Sequence, residues 1–266
     1  MNLCICGAAG RMGKRLIACA AEMENMNIVG AVDHPASPSI GKDSGALAGI
    51  GENGIPISTD LNSACQNADA VIDFALAGGI TDRIKIYTEK KIAAVFGTTA
   101  VDEQGVAAIS EASKIIPIIH APNFSVGVNL LFALAKNAAK ILDENYDIEI
   151  VEMHHHHKKD APSGTAVRLV ELVEEARGLK NEEKRIYGRQ GDTGMRPKGE
   201  IAVHSLRGGD VVGDHTVIFA AEGERVELTH KASSRDAFAK GALRAAKFLA
   251  NKSPALYSMK DVLEII

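Results

Sequence analysis

The feature that most constrains the fold of this chain is a short apolar strand that leads into a glycine-rich turn. Residues 2–6 form the strand, and Gly7, Gly10 and Gly13 follow within the run CGAAGRMG, ahead of a helical run that starts at Lys14. Glycines allow a tight turn, let a pyrophosphate approach the backbone and let the helix pack on the strand. The pattern predicts a dinucleotide-binding turn in a Rossmann-type sheet.

The second predicted strand, residues 27–32, supports this interpretation because it ends in Asp33. An acid at that position is placed to bind a ribose hydroxyl of the dinucleotide. Its charge would repel a 2′-phosphate, and His34 follows where NADP-preferring proteins often carry Arg, so NADH is favoured. Arg11, inside the turn, can still reach a phosphate, which leaves NADPH possible.

The composition predicts a two-domain enzyme. The chain has 266 residues, of which 46% are hydrophobic and 24% charged, enough for a large core. Its net charge of −4 carries no nucleic-acid signature. The four cysteines are expected to be reduced and structural. No apolar run has the length of a membrane span and no signal-peptide layout is present, so we expect no membrane partner and a cytoplasmic protein.

The first part of the chain alternates short apolar strands with helical stretches, which predicts a parallel sheet with helices on both faces. Further strands are expected at 70–72, 92–96 and 116–119. Ligands of such sheets bind at the carboxyl ends of the strands, so the loops that follow belong to the cofactor edge. These loops contain Phe74, Gly97, Thr99, Ala121 and Phe124.

The pattern changes beyond residue 125 to a mixed α+β arrangement. A helix is expected at 125–142, with Val126, Leu130, Leu134, Ala138 and Ile141 on one face. A strand at 146–153 and a helix at 165–176 follow.

Strands at 201–206, 215–220 and 225–230 come next, separated so closely that antiparallel pairing is expected. A helix at 235–250, capped by Ser234, then returns to the first part. We therefore expect a dinucleotide-binding domain at 1–125 and 236–266, and a substrate-binding and oligomerisation domain at 126–235.

The segment EMHHHHKKDAPSGTA, residues 152–166, places imidazoles and ammonium groups directly before a helix start with Ser163 as its N-cap. Free backbone N–H groups at that start attract anions, and imidazoles can donate protons. Gly164 leaves the backbone open to a carboxylate, and Thr165 adds a hydroxyl donor. The segment predicts a pocket that holds an acidic substrate and protonates it.

Three other interpretations of the histidines are weaker. An expression tag does not fit an internal run within a strand-loop-helix pattern. A zinc site would use His154 and His156, which share a face of the strand, but no cysteine or suitably spaced carboxylate completes the ligand set, so no metal is expected. A solvated basic loop leaves the helix start unexplained.

Several segments together resemble the 4-hydroxy-tetrahydrodipicolinate reductase (dihydrodipicolinate reductase) family over nearly the whole chain. They are CGAAGRMG, DFA, FGTT, APNFSVGVN, EMHHHHKKDAPSGTA, LRGGDVVGDHTVIF and THKASSRDAFAKGA. The resemblance implies reduction of a cyclic imine dicarboxylate by NADH or NADPH in lysine and diaminopimelate biosynthesis. It also implies a homotetramer.

The resemblance implies roles for individual residues. His154 matches the family's general acid, and His155 and Lys158 match residues for substrate binding and charge stabilisation. Gly164 and Thr165 match the carboxylate-binding turn. The residues matching the cofactor site are Gly7, Gly10, Arg11, Met12, Gly13, Asp33, Phe74, Gly97, Thr99, Ala121, Phe124 and Arg235. His34 and Leu76 stand where some relatives carry basic residues that hold a 2′-phosphate.

Other functions would use some of the same features. A semialdehyde dehydrogenase would need a nucleophilic cysteine in the second half, where the chain has none. A sugar dehydrogenase of similar architecture would be expected to show Glu-Lys-Pro after the strand, where Phe96-Gly97-Thr98-Thr99 stands. A non-catalytic NAD-binding regulator or a metal-binding protein also remains open on the residues alone.

Overall fold

The computed structural model describes residues 1–98, 100–179 and 184–265. The chain divides into two compact units. Unit 1 comprises Met1–Val126 and Arg235–Ile266, and unit 2 comprises Gly127–Ser234.

Unit 1 contains a seven-stranded sheet in the order β12-β6-β5-β4-β1-β2-β3. Every neighbouring pair is parallel, which confirms the predicted Rossmann-type sheet. The strands are β1 (Asn2–Cys6), β2 (Asn27–Val32), β3 (Ile57–Ser58), β4 (Ala70–Asp73), β5 (Ala93–Phe96), β6 (Pro117–His120) and β12 (Ala255–Tyr257).

Two apolar cores cover the faces of this sheet. One core includes Leu16 and Leu243, and the other includes Ile84 and Ile109. The helices of unit 1 are α1 (Arg11–Ala21), α2 (Ser44–Ala48), α3 (Leu61–Ala64), α4 (Ile80–Glu89), α5 (Glu103–Ala112), α8 (Asp236–Leu249) and α9 (Met259–Leu263). The prediction of Ser234 as the cap of α8 is wrong, because the N-cap is Arg235.

Unit 2 contains a mixed five-stranded sheet in the order β11-β10-β7-β9-β8. Its strands are β7 (Asp147–His154), β8 (Arg185–Tyr187), β9 (Ile201–Arg207), β10 (Gly213–Ala221) and β11 (Glu224–Ala232). β10 and β11 pair antiparallel as predicted, but β9 does not pair with β10. β7 lies between them, parallel to β9 and antiparallel to β10, so the short connection from β9 to β10 crosses the end of β7.

Helices α6 (Val126–Ile141) and α7 (Gly164–Arg177) pack with one face of the unit 2 sheet. The predicted apolar face of α6 is not the buried one, since Leu130 remains 50% exposed while Leu131 and Phe132 lie in the core. α6 is apolar on both faces, and its periodicity therefore does not identify the core side.

Strand β7 alternates between half-buried and buried residues, so the buried positions share one face of the sheet. Glu152 and His154 occupy the last two buried positions and continue the line of Ile148 and Ile150. The ionisable side chains of Glu152 and His154 therefore lie on the buried face of the sheet. None of the helices in the described part of the chain is long and apolar enough to span a membrane.

Candidate active site

The glycine turn after β1 is fixed by backbone packing. Gly7 has a φ of +80°, and a Cβ there would lie 2.9 Å from the Ala75 nitrogen. A Cβ on Gly13 would overlap the Gly7 oxygen and lie 2.6 Å from Ala8 Cα. Gly7 is therefore required by the turn itself, and Gly13 by the close approach of α1. Gly10 is the N-cap of α1, so no N-cap side chain occupies the first backbone N–H groups of that helix.

Asp33 joins the end of β2 to this turn. Its carboxylate accepts hydrogen bonds from the Ala9 and His34 nitrogens, each at 2.7 Å. The Ala36 nitrogen donates to Nδ1 of His34 at 3.2 Å, so Nε2 of the neutral ring carries the proton. The strand end thus presents a carboxylate beside an imidazole N–H.

Two cavities lie at the carboxyl ends of the unit 1 strands. One, of about 510 Å³, is lined by Gly7, Gly10, Asp33 and His34. The other, of about 430 Å³, is lined by Arg11, Met12, Gly97 and Phe124 among others. Phe74, Ala75 and Leu76 line both.

The cavities therefore bring together eight of the predicted cofactor residues, which are Gly7, Gly10, Arg11, Met12, Asp33, Phe74, Gly97 and Phe124. Gly13, Ala121 and Arg235 do not line these cavities, and Thr99 lies outside the described residues. Phe238 of α8 also lines the second cavity, although it was not among the residues predicted from the sequence.

Phe74 stands at the junction of the two cavities. Its ring centroid lies 5.8 Å from that of Phe124. A Cβ on Gly97 would overlap the Phe74 ring, lying 2.6 Å from Cε2. A side chain at position 97 would therefore displace the Phe74 ring from its place between the cavities.

A buried ion pair holds the segment that carries Phe74. Asp73 is fully buried and accepts hydrogen bonds from Arg83 Nε at 2.7 Å and from the Tyr87 hydroxyl at 3.0 Å. Arg83 also donates to the carbonyl oxygens of Gly78 and Leu76. Burial and then the charge of Asp73 raise the pKa of Tyr87 well above its usual value, so its hydroxyl remains a donor. This pair was not predicted from the sequence, where its signal is an acid that ends a buried strand ahead of a helix containing Arg.

In unit 2, His154 ends β7 and lies against a buried carboxylate. Its Nδ1 is 2.6 Å from Oε2 of Glu152, which is fully buried. Arg207 donates to both oxygens of Glu152, at 2.8 and 2.9 Å, and the Ser163 nitrogen donates at 3.1 Å. Burial alone would raise the pKa of Glu152, but its hydrogen bonds from His154 and Arg207 lower it well below the usual value. Glu152 is therefore charged.

The connection from β9 to β10 encloses the end of β7. The Gly208 nitrogen donates to the His154 oxygen at 3.0 Å, and the His155 nitrogen donates to the Val211 oxygen at 2.7 Å. A Cβ on Gly213 would come within 3.1 Å of Nε2 of His154. This connection fixes the backbone around the predicted general acid.

A second imidazole lies beside His154. The His215 ring is edge-on to the His154 ring with centroids 5.2 Å apart, and its Nε2 is 3.1 Å from the Ser163 hydroxyl oxygen. Its buried Nδ1 has no hydrogen-bond partner among the residues that the structure describes. Burial, and then the charge of His154, lower the pKa of His215 to about 3, so this imidazole is neutral near pH 7.

The helix start predicted to bind a carboxylate is capped as expected. The Ser163 hydroxyl accepts a hydrogen bond from the Ala166 nitrogen at 3.2 Å. A Cβ on Gly164 would meet no atom of the described residues within 4 Å, so packing among them does not require glycine there. Gly164 is exposed and Thr165 is half-buried. The backbone at Gly164 is open to an approaching ligand.

Lys158 lies in the loop between β7 and α7. Its ammonium group donates to both oxygens of Asp160, at 2.7 and 2.9 Å, and its backbone nitrogen donates to the His155 oxygen. The hydrogen bond from Lys158 lowers the pKa of Asp160. Across the described residues no three His, Cys, Asp or Glu side chains are grouped as metal ligands.

The chain matches known proteins along almost all of its length. A family model described as dihydrodipicolinate reductase, N-terminus, matches residues 1–124, and one described as dihydrodipicolinate reductase, C-terminus, matches residues 127–263. A 4-hydroxy-tetrahydrodipicolinate reductase of Trichlorobacter lovleyi is 46% identical over 99% of this chain and 98% of its own. One of Cupriavidus pinatubonensis is 47% identical over 99% of both chains.

Solved structures show a similar fold. A dipicolinate-bound dihydrodipicolinate reductase from Paenisporosarcina sp. TG-14 superimposes with a TM-score of 0.76, at 23% identity over 97% of both chains.

Proposed function

The chain belongs to the dihydrodipicolinate reductase family, and we propose that it reduces 4-hydroxy-tetrahydrodipicolinate to tetrahydrodipicolinate with NAD(P)H, in lysine and diaminopimelate biosynthesis. The observation that carries the proposal is the identity of 46% to a named reductase across 99% of the chain. The residues of both sites agree with this chemistry.

His154 is the proposed general acid. When bound, the reduced nicotinamide supplies a hydride to the imine ring, which leaves negative charge on the conjugated system. Protonation by His154 quenches that charge, and a positioned acid contributes about 10²- to 10⁴-fold to a rate. The contact between Nδ1 and Glu152 supports this role because it leaves Nε2 as the nitrogen that exchanges the proton.

The dicarboxylate substrate is proposed to bind beside His154. Lys158 and His155 supply positive charge and hydrogen bonds, while Gly164 and Thr165 offer backbone and hydroxyl donors at the start of α7. The open space around Gly164 supports a carboxylate at that position. The related Paenisporosarcina protein is described as bound to dipicolinate, a dicarboxylate.

Unit 1 fits a nicotinamide dinucleotide. The turn at Gly7, Gly10 and Gly13 leaves the backbone open, with Arg11 and Met12 beginning the helix, and is proposed to bind the pyrophosphate. Asp33 is proposed to hold a ribose, since a charged carboxylate accepts hydrogen bonds from its hydroxyls. Residues proposed to contact the adenosine and nicotinamide groups are Phe74, Gly97, Thr99, Ala121, Phe124 and Arg235.

We propose NADH as the favoured cofactor and NADPH as a second one. Asp33 lines the first cavity and opposes a 2′-phosphate. The nearby Leu76 is uncharged and 85% exposed. Arg83 lines the same cavity, but its guanidinium group already binds Asp73 and two carbonyl oxygens. His34 supplies one further N–H donor.

The proposed enzyme is a cytoplasmic homotetramer. Helices α6 and α7 pack with one face of the unit 2 sheet. Residues of the opposite face, such as Val151 and Ile218, remain half-exposed, and a face of this kind is suited to subunit contact. Light scattering at micromolar concentration is expected to give four times the chain mass of 28.1 kDa.

The proposal is tested by NADH oxidation with purified protein and with substrate generated in place from pyruvate and aspartate semialdehyde by the preceding synthase. Loss of NADH absorbance only when the synthase is present is expected, with NADPH run in parallel. Tight NADH binding without turnover would instead favour a non-catalytic regulator.

A further inference from the structure

We propose that Glu152, held by Arg207, is a positioning residue that determines which nitrogen of His154 exchanges the proton and also fixes the carboxylate-binding turn. The proposal rests on His154 acting as the general acid. It assigns roles to Glu152, which begins the predicted segment without a predicted role of its own, and to Arg207, which lies outside that segment.

The two oxygens of Glu152 are shared between different parts of unit 2. Oε2 lies 2.6 Å from His154 Nδ1 and accepts from Arg207 Nη1 at 2.8 Å. Oε1 accepts from the Ser163 nitrogen at 3.1 Å and from Arg207 Nη2 at 2.9 Å. One fully buried carboxylate thus joins the end of β7, the end of β9 and the start of α7.

This arrangement selects one tautomer of His154. A charged carboxylate can only accept hydrogen bonds, so Nδ1 of His154 carries a proton in both charge states of the ring. Nε2 is then the nitrogen that gains and loses a proton. It faces Gly213, where a side chain would approach to 3.1 Å, so this glycine leaves room at the exchanging nitrogen.

Arg207 allows the carboxylate to be buried without His154 being charged. A buried anion must be paired, and the bidentate guanidinium of Arg207 provides that pairing. The charge of Glu152 is balanced before and after His154 releases its proton. Arg207 also donates to the backbone carbonyl oxygen of Asp160 at 2.7 Å. This bond holds the loop that carries Lys158.

The first test measures the tautomer of His154 directly. Long-range ¹H–¹⁵N spectra of the wild-type protein, assigned by comparison with His154→Gln, are expected to show the proton on Nδ1 when the ring is neutral. A proton on Nε2 in the neutral ring would overturn the proposal. This readout does not depend on turnover, so it stands even if the proposed reaction is not observed.

The second test uses Glu152→Gln. In either orientation the glutamine amide nitrogen faces a donor of Arg207. At the Oε2 position it also reverses the hydrogen bond with His154 Nδ1, and at the Oε1 position it loses the bond from Ser163 and leaves Nδ1 a neutral acceptor in place of a charged one. We expect kcat to fall by about 100-fold or more, with the Kd of NADH within about twofold of wild type. Glu152→Asp, which keeps the carboxylate, is expected to retain at least about tenfold more activity than Glu152→Gln.

Glu174→Gln provides a matched control. Glu174 is also buried in unit 2 and binds an arginine, Arg185, through two hydrogen bonds of 2.7 Å. Its loss is expected to lower stability while leaving kcat within about twofold. Equal losses of kcat in Glu152→Gln and Glu174→Gln would assign Glu152 a structural role only and overturn the proposal.

If Glu152→Gln does not fold, the double variant Glu152→Gln with Arg207→Met is used in the same test instead. It removes the Arg207 donors that would face the glutamine amide. Wild-type protein without turnover would contradict the proposed function, whereas turnover with an Nε2 proton would contradict only the positioning role.

Discussion

The glycine turn of unit 1 and the histidine segment of unit 2 both lie where a strand ends before a helix, but they are built from different parts of the chain. Gly7 and Gly13 contact each other within a single turn. His154 is held by Glu152 from its own strand, by the β9–β10 connection, and through Glu152 by Arg207 of β9.

The two regions also differ in the forces that hold them. The turn is held by backbone shape, which depends little on pH. The histidine segment depends on a buried ion pair, a neutral imidazole and a helix cap, so it depends on protonation. The effects of substitutions should therefore be mainly steric in the glycine turn and mainly electrostatic in the histidine segment.

The largest effect is expected for His154→Gln. If the histidine segment is the centre of proton transfer, kcat should fall by about 10²- to 10⁴-fold, because a positioned acid contributes that much. The Kd of NADH, measured by fluorescence, should stay within about twofold because the cofactor turn lies in unit 1. An unchanged kcat would remove His154 from the acid role and make the segment a binding site only.

A pair of glycine substitutions tests the steric side of the comparison. Gly13→Ala should cost about 3 kcal/mol in the free energy of unfolding, since its Cβ would overlap the Gly7 oxygen and backbone must move. Gly164→Ala should cost nothing measurable, because in the described part of the chain its Cβ would meet no atom within 4 Å. Instead, it should weaken binding of dipicolinate. Urea unfolding and calorimetric titration measure both effects.

Comparable stability losses in Gly13→Ala and Gly164→Ala would show that Gly164 has a packing role, contrary to the open space around it.

The pH dependence of the free energy of unfolding tests the electrostatic part of the comparison between the two regions. Burial holds the pKa of His215 at about 3 in the folded chain, against about 6.5 in an unfolded chain. As the pH falls below about 6.5, the unfolded chain binds a proton that the folded chain does not, so stability is lost. By pH 5 the loss should be about 2 kcal/mol.

The charged and titratable groups that act on His215 are His154, Glu152, His230 and Lys158. Urea unfolding of wild type and His215→Asn at pH 7 and pH 5 isolates its contribution, with the exposed His156→Asn as the control. Equal pH-dependent losses in wild type and His215→Asn would contradict a neutral buried imidazole.

The smallest effect is expected for Ser163→Ala. Losing the N-cap bond to Ala166 should cost about 1 kcal/mol of stability. Asp102→Ala, which removes the cap of α5 in unit 1, should cost about the same. Only Ser163→Ala should also weaken dipicolinate binding, measured by calorimetry, because its cap lies at the proposed carboxylate turn. Equal binding by both variants would separate the cap from the site.

The structural features that could be predicted from the sequence are those that depend on residues close together in the chain. The glycine turn, the parallel strands of unit 1 and the Ser163 cap each follow from a short pattern. Strands β3, β8 and β12 escaped prediction because segments of two or three residues carry too little periodicity.

What the sequence did not predict depends on distant pairing. The placement of β7 between β9 and β10 could not be inferred from the short turns that separate the later strands. The contact of Arg207 with Glu152 follows from that placement, and so does the position of His215 beside His154. Phe238 was missed because a single aromatic on an amphipathic helix has the pattern of a core residue.

The central position of β7 has a consequence for the order in which unit 2 can fold. β7 must wait for β9 and β10, which are synthesised after it, and such long-range pairing is slow compared with helix formation. Until Arg207 pairs with it, the Glu152 carboxylate lacks the guanidinium group that balances its charge on the buried face of the sheet. A nascent chain can therefore complete its glycine turn early, but the histidine segment reaches the arrangement proposed for proton transfer only when unit 2 has finished folding.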